Sequence, residues 1–205
     1  MKGGVRGALL GLLLLAASAP AAELQWRLAR EEGGVRVYLA EVPGSRYQAY
    51  RGVVVLRTDM PTLLALQEDV AASCAWIYAC SEQRLLGSEG ALSWIYSRYA
   101  TPWPVTPRDS VLQVATEVGA DGSVTRRLTA APTRLPEQRG YVRVRKLEGI
   151  WRLRSLGEGR VEVVYQAHTE PGGSVPSWLA NSFVVDAPLQ TLKALQALVE
   201  GAEQQ

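Results

Sequence analysis

The chain is poor in the side chains that metal and nucleophile chemistry need. It has 205 residues with one histidine, His168, two cysteines, Cys74 and Cys80, and two methionines. One histidine and two cysteines at this spacing do not supply a first-row metal site, so neither metal nor cofactor is expected. No G-x-S-x-G elbow, H-E-x-x-H pair, phosphate-binding loop or dinucleotide glycine pattern occurs. His168 shares strand parity with Glu162 and Gln166, which predicts a surface position. There are no internal repeats and no low-complexity linker, so one domain is expected.

Long apolar runs are also scarce. The only one, Ala8–Ala17, follows the basic residues Lys2 and Arg6 and precedes Ala19-Pro20-Ala21. This is the layout of a secretory signal peptide over residues 1–21, with cleavage after Ala21, leaving a domain over 22–205. The run is shorter than the ~20 residues a membrane-spanning helix needs. The predicted location is outside the inner membrane, in the periplasm. The full chain carries 22 Lys+Arg against 20 Asp+Glu, and the first 21 residues hold two of those bases and no acid, so the remainder balances at 20 against 20. A neutral domain has no basic footprint for nucleic acid.

In an oxidising compartment Cys74 and Cys80 are expected to pair. Six residues of α-helix rise ~9 Å, beyond the ~7 Å between Cα atoms that a disulfide spans. If they pair, residues 74–80 cannot be one continuous helix; two buried free thiols are the alternative.

Periodicity predicts an α+β chain. A short helix over Glu23–Glu32 precedes strands Val35–Val42 and Tyr47–Leu56, joined by Pro43-Gly44-Ser45. A helix opens at Pro61 and runs to Asp69, with Leu63, Leu64, Leu66 and Val70 at helical spacing. Strand patterns follow at 83–86, 91–99, 109–118, 123–130, 141–147, 150–156 and 160–169. From Pro176 to Val199 the period becomes helical, with Val185, Leu189, Leu192, Leu195 or Gln196, and Val199 on one face and Pro188 as a kink or a restart. Glu148-Gly149 reads as the turn of a hairpin between Tyr141–Leu147 and Ile150–Leu156. That register puts Arg143 opposite Arg154 and Arg145 opposite Arg152 on an outer face. Such a face is either balanced by acids such as Glu162 or docks anions, and the first reading is preferred.

Several passages resemble the START (StAR-related lipid-transfer) family over nearly the whole domain. The strongest is Pro102-Trp103-Pro104-Val105-Thr106-Pro107-Arg108-Asp109. In order around it stand Gly34-Val35-Arg36-Val37-Tyr38, Arg51-Gly52, Leu66-x-x-Asp69, Gly140-Tyr141-Val142-Arg143 and Gly149-x-Trp151-x-Leu153. Glu170-Pro171-Gly172-Gly173 and Pro176-x-Trp178-Leu179-x-Asn181 complete the series. The resemblance implies a helix-grip fold: a curved antiparallel sheet, closed by a long C-terminal helix around a tunnel for one lipid-like ligand such as a sterol, phospholipid or fatty acid. It also implies a lid loop, placed at Ala131–Gly140, through which a transient membrane contact could be made.

The candidate ligand-binding residues are Trp178, Tyr165, Trp151, Trp103, Gln113 and Arg108. Trp178 opens the gripping helix, and Tyr165 shares inward parity with Val161 and Val163. The three tryptophans could line a cavity or simply fill the core. Leu112 and Val114 predict a largely apolar interior, with Gln113 as the only obvious polar candidate. Arg108 and Asp109 are adjacent on a strand and point to opposite faces. Arg108 either touches ligand or pins a loop, the second being preferred. Two other readings stand beside the lipid carrier: a cofactor-free cyclase using an acid such as Asp109, and an envelope interaction module with a closed cavity.

Overall fold

The computed structural model describes residues 23–175 and 177–202, without the side chains of residues 177–179, 182 and 202. Residues 1–21, where the signal peptide is expected, and Pro176, the expected start of the last helix, lie outside the described residues.

Among the described residues ten strands form one sheet: β1 Arg27–Glu32, β2 Val35–Ala40, β3 Ala49–Arg57, β4 Cys80–Glu89, β5 Leu92–Tyr99, β6 Arg108–Val118, β7 Val124–Ala130, β8 Val142–Arg143, β9 Lys146–Gly157 and β10 Arg160–Glu170. Their order is β1-β2-β3-β10-β9-β7-β6-β5-β4, antiparallel throughout, while the two-residue β8 pairs parallel to the start of β6. The sheet curves without closing into a barrel. Helix α1, Met60–Glu68, and helix α2, Ser177–Ala202, lie on its concave side with a 3₁₀ turn at Ser73–Ala75. No described helix is long and apolar enough to cross a membrane. This is the α+β arrangement that periodicity predicts and the helix grip that the resemblance implies.

α1 begins as its sequence suggests. Asp59 caps it by accepting from the Thr62 amide at 2.8 Å, and Pro61 occupies the first turn, where its missing N–H costs nothing. α2 buries Leu189, Leu192, Leu195 and Val199 against Val37, Val54, Leu56, Leu153 and Val163 of the sheet. Leu195, rather than Gln196, is the inward residue. Pro188 sits inside one continuous helix. The helix comes so close that a Cβ on Gly52 would stand 2.6 Å from Leu192 Cδ1 and 3.0 Å from Pro188 Cβ. Gly52 therefore sets the depth at which α2 docks.

Two sequence readings change. The segment read as a helix over Glu23–Glu32 contains β1, paired with β2. Leu24, Trp26 and Leu28 recur every second residue, which is strand period and not helical period. The hairpin at Glu148-Gly149 does not form. Both residues lie inside the 12-residue β9, which pairs with β7 on one side and β10 on the other. Gly149 serves close packing there: a Cβ would meet the Gln166 carbonyl oxygen at 2.6 Å and Ala167 Cβ at 2.9 Å. Arg154 does face outward, bonded to Glu162 at 2.9 Å, but Arg143 is buried in β8.

Candidate functional site

The concave side of the sheet is not filled along its whole length. Below the Leu189–Val199 half of α2 the apolar core is continuous. Around the Ala180–Thr191 half there is a cavity of about 280 Å³. Tyr50, Ser110, Leu147 and Tyr165 form its sheet wall; Phe183 and Ala187 belong to its helix wall. Phe183, Ala187 and Thr191 recur every fourth residue, so one stripe of α2 faces the cavity while the Leu189–Leu192 stripe faces the core. That second stripe was legible in the sequence.

The loop between the two cysteines supplies Ile77, Tyr78 and Ala79 to the same wall. Cys74 and Cys80 are joined as a disulfide, their Cα atoms 5.0 Å apart, and the 3₁₀ turn breaks before Cys80 as pairing requires. Thr191 Oγ1 accepts from the Tyr78 amide at 3.0 Å, tying this loop to α2.

The sheet wall is aromatic. Trp151 stacks on Tyr165 with centroids 4.0 Å apart and planes 7° from parallel, and Tyr50 meets Tyr165 edge-on at 5.2 Å. Each such pair adds about 0.5–1.5 kcal/mol beyond area burial. Burial pushes the phenols of Tyr165, Tyr50 and Tyr99 above their ordinary range, so they remain neutral hydroxyls. Tyr165 thus lies on the inner face, as its parity with Val161 and Val163 predicts. Trp151 is buried behind it, supporting the wall without lining it.

Arg108 lines the cavity and is 7% exposed. Its Nη1 donates to the Thr106 carbonyl, Nη2 to Gly172 O at 3.2 Å and Nε to Pro171 O at 3.5 Å. It therefore pins two loops to the sheet and also faces the cavity. Asp109 points the other way, into an ion pair with Arg143 on the convex side.

Three expectations about the site are corrected. Trp103 is 93% exposed at the tip of the β5–β6 loop and takes no part in the wall, because it stands on a turn that projects from the sheet. Gln113 is on the convex face, registered with Trp94 and Thr129, since β6 alternates and Ser110, Leu112 and Val114 take the inner positions. Ala131–Gly140 is not at the cavity. Arg143 binds the carbonyls of Pro132, Leu135 and Pro136, and Arg134 lies 4.2 Å over the Trp94 ring, so the segment is strapped to the convex face. The loop at the cavity is the β5–β6 connection, through Ala100, Thr101, Pro102 and Val105. The side chain of Trp178 falls outside the described residues, although its backbone begins α2. Tyr50, Ser110 and the Ile77–Ala79 loop are wall residues that sequence reasoning did not name.

A wider depression of about 560 Å³ lies alongside, lined by Ser45, Arg46, Tyr47, Lys146 and Glu170. It is polar, and Lys146 and Glu170 pair across it at 3.2 Å. His168 is near this side, with Nε2 3.1 Å from Ser45 Oγ, away from the cavity wall. Size favours the depression, but chemistry favours the smaller cavity for an apolar ligand.

A curved antiparallel sheet gripped by a C-terminal helix, with an apolar cavity between them, is the helix-grip fold. The START domain family model matches residues 13–203, and the chain belongs to that family. It is 54% identical over 200 residues to an uncharacterized protein of Pseudomonas aeruginosa, covering 98% of this chain and 99% of that one. The crystal structure of a STAR-related lipid transfer protein fragment from Xanthomonas axonopodis superposes with a TM-score of 0.80 at 36% identity, covering 85% of this chain and 98% of that chain. The phosphatidylcholine transfer protein of Bos taurus is 27% identical over 163 residues, 76% of this chain and 75% of that protein.

Proposed function

We propose that this protein is a carrier, not a catalyst, that holds one lipid-like molecule between the sheet and α2 after secretion to the periplasm. The observation that carries the reading is the apolar cavity of about 280 Å³ under the first half of α2, walled by Tyr50, Tyr165 and Phe183. Burying each methylene there is worth about 0.8 kcal/mol, which suffices for affinity without many polar contacts. The lipid-transfer relatives support the same reading at the level of the family.

The rival readings lose ground for stated reasons. Asp109, the acid a cyclase would use, is committed to Arg143 on the convex face and cannot reach a ligand in the cavity. An interaction module with a filled interior does not fit the open space beneath α2. The β5–β6 loop borders the cavity and carries exposed Trp103, so delivery to a membrane would engage this loop.

Native mass spectrometry of freshly purified protein tests the reading directly, with one bound lipid per chain expected. A titration of delipidated protein with fluorescent fatty-acid and sterol probes follows. Tyr165→Glu should weaken binding at least tenfold, because a carboxylate in an apolar wall is costly to desolvate. Arg154→Gln should leave binding unchanged. Delipidated protein that takes up no lipid class would end the carrier reading.

A further inference from the structure

Two buried arginines of this fold are satisfied in different ways. Arg143 uses all its N–H groups: Nε and Nη2 hold Asp109 at 2.9 Å each, and Nη1 and Nη2 hold the carbonyls of Pro132, Leu135 and Pro136. A guanidinium has five N–H donors. Arg108 has three carbonyl partners, and among the described residues no carboxylate pairs with it. Two of its donors and its whole charge are left uncompensated while it lines an apolar cavity, and desolvation there lowers its pKa. Arg108 is the one charged residue among the described lining residues.

A second observation lies two residues along the same strand face. Ser110 is completely buried and lines the same cavity; its Oγ has no partner at full hydrogen-bond geometry among the described residues, only a weaker interaction with the Tyr99 hydroxyl on the same wall. Residues i and i+2 of a strand project to the same side about 7 Å apart. An orphaned buried hydroxyl costs about 1–3 kcal/mol unless something binds it. The spare Arg108 N–H groups and the Ser110 hydroxyl form a donor set beside an apolar wall that contains no acid.

Volume narrows the class further. A cavity of about 280 Å³ sits at the small end of the ~300–1,000 Å³ range of ligand pockets, which favours a slim single chain over a two-chain phospholipid.

We infer that the cargo is a single-chain amphiphile with an anionic head, a carboxylate or a phosphate ester, held by Arg108 with Ser110, its tail lying along Tyr165 and Phe183. This rests on the carrier reading and specifies its ligand. Arg46, 5.2 Å over the Tyr47 ring, lines the neighbouring polar depression, which shares Tyr47 with the cavity; it adds positive potential at that end, where Lys146 is already paired with Glu170.

The test is calorimetric titration of delipidated full-length protein with decanoate, decyl phosphate and decanol, which share a tail and differ in the head. At least one anion should bind ten times more tightly than the alcohol. Whichever anion does so distinguishes a carboxylate from a phosphate ester. Arg108→Gln should abolish this preference while the alcohol still binds. Arg108 also pins two loops, so Ser110→Ala, which removes no loop contact, provides the second arm; it should weaken the preferred anion at least threefold without lowering Tm. Decanol binding as tightly as both anions, or unchanged anion binding in Ser110→Ala, would overturn the inference and leave the carrier reading standing. Binding of no probe at all, including the fluorescent lipids above, would remove both.

Discussion

Asp109 and Arg143 meet in a two-pronged ion pair, Oδ1 to Nε and Oδ2 to Nη2 at 2.9 Å each, with both side chains 1% exposed. The pair locks β8 beside β6 and straps the 131–140 segment to the convex face. Removing one partner strands a buried charge, at a cost of about 3–5 kcal/mol. Arg143→Met and Asp109→Leu should each lower unfolding stability by that order in urea titrations, and the double variant should lose clearly less than their sum. Simple additivity would mean that the two residues act independently.

Gly52 fixes the approach of α2 to β3. Gly52→Ala places a methyl against Leu192 and Pro188 and should cost about 1–3 kcal/mol by overpacking. Shortening the neighbour with Leu192→Val should recover part of that loss. A Gly52→Ala protein as stable as wild type in thermal melts would show that the helix seats further from the sheet.

The Cys74–Cys80 bridge closes a short loop that walls the cavity. Chain entropy for so short a loop gives only about 2 kcal/mol, so reduction should leave the circular dichroism spectrum intact. It should nevertheless weaken ligand binding, because Ile77, Tyr78 and Ala79 lose their anchor. Unchanged affinity after reduction and alkylation would separate the disulfide from the site.

Trp103 stands 93% exposed on a loop whose Ala100, Thr101, Pro102 and Val105 line the cavity. Trp103→Ala should change stability by no more than about 0.5 kcal/mol, as expected for an exposed position. It should reduce partition onto phospholipid vesicles and slow lipid delivery between them, measured by co-sedimentation and a fluorescent-lipid transfer assay. Equal partition of the two proteins would remove this loop from membrane contact.

Much of the architecture was readable without coordinates, because it depends on local period and on pattern order. Leu189, Leu192 and Val199 mark the buried stripe of α2, Val161, Val163 and Tyr165 mark the inner face of β10, and the helix-breaking constraint on residues 74–80 follows from helix rise alone. That Arg108 and Asp109 face opposite sides is likewise a consequence of alternation, whereas which of them faces the cavity is seen only in the structure. What the tertiary structure decided was which strands are neighbours. Gly149 looks like a turn from its neighbours in sequence; it is a close-packing residue only once β10 lies beside it. Arg143 looks solvent-facing until β8 leaves the expected hairpin to pair with β6. The loop that borders the cavity also depends on which sheet face each connection crosses, and that is set by contacts far apart in the chain. Local propensity carries no record of such contacts, whereas alternation and helical period are carried by each segment on its own.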